Sequence, residues 1–156
     1  MTDRNLLRHC LAVIAYRGGK CLHGASPSFA EYDSGGGRTP LKILGHMSAL
    51  FEWTVSLAEG AERWPNGTLG AWNDEVVRFH ASLSALDDYL ASERLVQAEL
   101  TRLLQGPIAD ALTHVGQLAM LRRISGSPIL GENYYVADIA MGRVGPEQAP
   151  PVKPFG

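Results

Sequence analysis

The chain has 156 residues, 46% hydrophobic and 19% charged, with a formal net charge of −2. That length and composition suit one domain over residues 1–156, with a bundle core at about 3–126 and a tail at 127–156. The weak negative charge, with no run of Lys and Arg interleaved with aromatics, argues against nucleic-acid binding, and no apolar run reaches the length of a membrane span. The opening Met-Thr-Asp-Arg-Asn has no charged-then-apolar leader pattern, so a cytoplasmic protein with no membrane partner is expected. Cys10 and Cys21 are too few for a disulfide framework and read as two reduced thiols.

Asp3 is placed to cap a first helix in which Leu6, Leu7, Cys10, Val13 and Ile14 recur at three- and four-residue steps, and Gly18-Gly19 is expected to end it. Residues 20–38 turn to Gly, Ser and Pro and predict a long loop; Ser34-Gly35-Gly36-Gly37 lacks the Lys-Ser/Thr of a phosphate cradle. Thr39-Pro40 starts a second helix, with Leu44, Met47, Phe51, Val55 and Ala58 on one face and His46 beside it. Residues 60–72 form a turn-rich connector, and Asn73 is expected to cap a third helix with Val76, His80, Leu83, Leu86 and Leu90 buried. Residues 92–104 keep a helical pattern.

Gly106-Pro107 opens a fourth helix that Ser125-Gly126 ends. Asp110 and His114 stand one turn apart on it and project from the same face, with Gln117 one turn further. That spacing suits a two-ligand metal clamp, and equally a hydrogen-bonded pair inside the core. Tyr134 to Ala140 is a possible short helix expected to rest on the bundle, and the chain from Pro150 onward should be extended. Four helical stretches with no alternating strand predict an all-α, up-and-down-like four-helix bundle.

The segment Gly-His-Met-Ser-Ala-Leu-Phe-Glu-Trp (45–53), followed by Asp-Ala-Leu-Thr-His-Val-Gly-Gln (110–117), resembles the DinB-like superfamily of four-helix bundles. The Met-Leu-Arg-Arg ending at 120–123 and Gly-Glu-Asn-Tyr at 131–134 extend the resemblance over about 41–145. It implies a divalent metal, foremost nickel or zinc, held by one His of helix two and a His-x-x-x-His pair of helix four. Carried onto this chain, the ligands are His46, Asp110 and His114, with Asp110 a departure from His. A set of two His and one carboxylate leaves positions open and also suits iron or manganese.

The resemblance further implies a homodimer and a metal-dependent hydrolase, or a thiol-dependent transferase or isomerase, acting on an unidentified small molecule. Gln117 is expected to orient a ligand, and Glu132, Tyr134 and Asp138 to supply an acid, base or binding group if the tail folds over the site. The competing expectation is a non-catalytic dimeric bundle in which His46, Asp110 and His114 form a hydrogen-bond network. A third reading, an apolar-ligand binder under the long loop, rests on the Trp53, Trp64 and Trp72 group.

Overall fold

Helix α1 (Asp3–Leu22) begins at Thr2, whose hydroxyl accepts from the Asn5 N–H, so the cap lies one residue before Asp3. It also runs through Gly18-Gly19 instead of ending there. The reason is tertiary. Gly18 is buried, and a Cβ on it would come within 3.2 Å of Phe79 Cζ on another helix, so the missing side chain admits a close neighbour. Helix α2 (Pro40–Glu59) starts as expected, with Thr39 accepting from the Lys42 N–H and Pro40 in the first turn, and Gly60 ends it at φ +74°.

Helix α3 (Trp72–Ala91) begins two residues earlier than the Asn73 cap implied, with Ala71 at the cap. Glu75 is buried in its first turn and accepts from the Gly70 N–H, which anchors the incoming chain. The buried stripe includes Phe79, Leu83, Leu86 and Leu90, with Phe79 in place of Val76 and His80, which are only half-buried. Residues 92–99 are not helical, and their backbone is tied elsewhere: the Tyr89 hydroxyl at the end of α3 donates to the Leu95 carbonyl, and the Gln97 N–H donates to the Ala58 carbonyl of α2. Helix α4 (Leu100–Leu103) is a single turn that passes through a widened π segment, Leu104–Ile108, into α5 (Ala109–Ile124). Pro107 lies inside that segment, where its missing N–H and ring bulk are accommodated by the wider turn, so it does not begin the helix.

The computed structural model describes all 156 residues. Its four long helices pack in the ring order α1, α3, α2, α5. Arg8 of α1 pairs with Asp87 near the end of α3, so these two run antiparallel, whereas the ends of α1 and α5 meet where Arg122 donates to the Cys21 carbonyl. Pairing of Glu52 with Arg78, and of the Ala58 carbonyl with the Tyr89 hydroxyl, makes α2 and α3 parallel. The order is therefore up-down-down-up, not the up-and-down arrangement that short links would impose. Residues 60–71 permit this: extended, they reach about 40 Å, against about 30 Å for a helix of this length.

The core is a cluster of 23 buried residues from all four long helices, α4 and its π segment, the 23–39 loop and the tail, with Leu11, Ile14, Phe51, Phe79, Leu83, Ile108 and Leu118 among its fully buried members. Burial of each such side chain stabilises the fold by about 1.5–3 kcal/mol. No helix is long and apolar enough to cross a membrane. Both cysteines are free; Cys21 is buried, and burial pushes its thiol up to about 11.

The tail is irregular, as expected, apart from one short ribbon in which β1 (Gly131–Glu132) pairs antiparallel with β2 (Pro154–Phe155). The helix expected over 134–140 is a single 3-10 turn, Tyr134–Val136, held by Asn133 accepting from the Tyr135 N–H. Tyr134 does rest on α1, edge-on to Tyr16, but Tyr135 is 95% exposed.

Candidate metal centre

His46 lies in the second turn of α2, and the Leu69 side chain of the 60–71 connector packs against the preceding Gly45. Asp110 and His114 lie on the facing helix α5, one turn apart. His46 Nε2 stands 3.3 Å from Asp110 Oδ2, and His114 Nε2 stands 3.5 Å from Asp110 Oδ1. The two imidazole rings are perpendicular, with centroids 5.0 Å apart.

One donor atom from each of the three lies within 4.8 Å of the others, so His46, Asp110 and His114 form a group able to hold a metal ion. Tetrahedral ligands about 2.0–2.1 Å from an ion are separated by about 3.4 Å from one another. Both carboxylate-imidazole separations already have that value, and a small ring rotation brings the imidazoles into the same range.

Protonation agrees with a ligand role. His114 Nδ1 donates to Gln117 Oε1 at 2.7 Å, which leaves the lone pair of Nε2 pointing towards Asp110. Burial holds the His46 imidazolium below the ordinary histidine range; the hydrogen bond to Asp110 opposes this, and the Arg38 and His114 charges reinforce it. A neutral His46 keeps a lone pair available at neutral pH.

The group opens into a cavity of about 640 Å³ between the start of α2, the outer face of α5 and the loop before α2. Met120 and Ile124 of α5 are each 55% exposed and line this cavity. Gln117 lines it as well.

Glu132, Tyr134 and Asp138 do not join the group. The tail folds onto α1 instead of over the cavity, because Glu132 is buried there, accepting from the Tyr16 hydroxyl at 2.8 Å and from Lys20 Nζ at 2.7 Å. Tyr134 lies under the Arg17 guanidinium, 4.3 Å from its centroid, and Asp138 pairs with Arg143 at the surface. The tryptophans divide: Trp64 packs between His46 and Trp53, whereas Trp72 packs on Phe29. Sequence reading missed Arg38, which lines the cavity, and Trp64 as a neighbour of His46. Neither carries a local signal, since both sit in connectors whose course only the folded bundle defines.

Compared with protein-family models, with curated proteins and with solved structures, the chain gives no match.

Proposed function

We propose that this chain is a DinB-like protein that binds one divalent metal ion, nickel or zinc foremost and iron or manganese as alternatives, through His46, Asp110 and His114. The observation that carries the reading is the convergence of two imidazoles and one carboxylate, from helices whose site residues are 64 positions apart, at the wall of an open cavity. Three protein donors facing open space are the pattern of a reactive site, whereas a structural site closes with four. A bound divalent ion lowers the pKa of a coordinated water or thiol and so supplies a nucleophile at neutral pH.

Around it, each residue has a task. Gln117 fixes the His114 tautomer, Asp110 contributes the negative charge, and neutral His46 would offer Nε2 to the ion with its proton on Nδ1. The reaction class is a metal-dependent hydrolase, or a thiol-dependent transferase or isomerase, acting on a small molecule. We further propose a homodimer, supported by the exposed Leu130, Tyr135, Val136 and Phe155; a monomeric mass by light scattering removes that part.

A second reading has its own support. The Asp110 carboxylate is already hydrogen-bonded with His46, and His114 with Gln117, as in a non-catalytic network in a degenerate site. Metal analysis of protein purified without a His tag separates the two. About one equivalent in the wild type and loss of it in His114→Ala is expected; metal-free protein from metal-supplemented cultures establishes the second reading.

A further inference from the structure

The cavity beside the metal centre has a chemically divided lining. His46, Asp110 and His114 share that lining with the apolar Ile43, Met120, Leu121 and Ile124. Met120 and Ile124 are each 55% exposed and both line the cavity, which leaves apolar area for something to cover. At the rim, on the glycine-rich loop, lies Arg38.

Arg38 differs from most arginines of this protein. Arg4, Arg8, Arg78, Arg94, Arg122 and Arg143 each donate to a carboxylate or carbonyl, whereas the Arg38 guanidinium makes no hydrogen bond or ion pair. It is also the only cationic side chain in the lining. The one carboxylate there, Asp110, is hydrogen-bonded with His46 and makes no ion pair with Arg38. A planar guanidinium with five free donors beside an apolar wall matches a carboxylate carried on an apolar body.

We propose that this cavity binds a small carboxylate-bearing molecule, its anionic end on Arg38 and its aliphatic part along Met120, Leu121 and Ile124. The bound carboxylate then shares the cavity with His46, Asp110 and His114. The inference deepens the metal reading by naming a substrate class, and it rests on that reading only for what an ion would do to the bound molecule. Recognition by Arg38 and the apolar lining stands without any ion.

The test uses the full chain, stripped of metal by dialysis, with octanoate as the probe and octanol as its uncharged counterpart. Binding is followed by amide chemical shifts and by calorimetry. Octanoate should shift residues 34–38 and 117–124, bind at least tenfold more tightly than octanol, and lose at least tenfold in affinity in Arg38→Gln. The probe is added to metal-stripped protein, so failure of the metal reading leaves this result intact. Equal binding by wild type and Arg38→Gln, equal binding of octanoate and octanol, shifts confined to the tail, or no binding of octanoate would each overturn the proposal. Arg38 is exposed and makes no internal contact that folding requires, so its substitution leaves a folded protein for the comparison.

Discussion

Replacing His46 with Ala removes one of three donors and leaves Asp110 and His114 in place. An ion that binds only the folded state at 100 times its Kd stabilises by about 2.7 kcal/mol. In a domain of 156 residues, each kcal/mol moves Tm by about 2–4 °C, so zinc at that concentration should raise the wild-type Tm by roughly 5–11 °C. Loss of a ligand costs at least the roughly 100-fold in affinity that loss of a supporting hydrogen bond can cost. The same zinc concentration then equals Kd, and the stabilisation falls to about 0.4 kcal/mol, or roughly 1–2 °C.

The fold itself tolerates the change. The His46 side chain is 23% exposed, and its main apolar neighbour is Trp64, so the metal-free variant should lose only about 1 kcal/mol. Scanning calorimetry of untagged, metal-stripped protein, with and without zinc, separates the two effects. An equal zinc-induced rise in wild type and His46→Ala, or no rise in the wild type, refutes the assignment of the three ligands.

Gln117→Leu deprives the His114 Nδ1–H of its acceptor, and zinc affinity should fall about 10- to 100-fold while the metal-free Tm hardly moves, because Gln117 is exposed. Burial, reinforced by the Glu132 carboxylate, pushes the Tyr16 phenol up to about 12 from its ordinary 10. The stability linked to keeping it protonated is therefore full below about pH 10 and lost as pH rises towards 12, and alkaline unfolding curves of wild type and Tyr16→Phe should diverge in that window. Truncation after Gly126 removes buried Glu132 and Val144 and strips Lys20 of its partner, so Tm should drop by several degrees; an unchanged Tm would show the tail to be dispensable.

The start and stop of α2 were legible because each depends on atoms a few residues apart: the Thr39 hydroxyl meets the Lys42 N–H, and Gly60 alone accepts the left-handed turn. The shared face of Asp110 and His114 was legible for the same reason, since one turn of helix fixes their separation. The end of α1 was not. Gly18-Gly19 reads as a stop, and only Phe79 and Val115, brought in from other helices, turn it into a tight contact within a continuing helix.

The remaining misreadings have the same origin. Ring order follows from two long connectors that leave neighbours free to differ from sequence order, and the tail's destination follows from Glu132 meeting Tyr16 and Lys20 more than 100 residues away. Helix periodicity, caps and the spacing of Asp110 and His114 were thus determined by the sequence itself, through interactions spanning a turn or two of backbone. The meeting of His46 with that pair, the cavity in front of them and the position of Arg38 at its rim were decided by tertiary structure alone, because they depend on burying the same apolar faces in one particular up-down-down-up order.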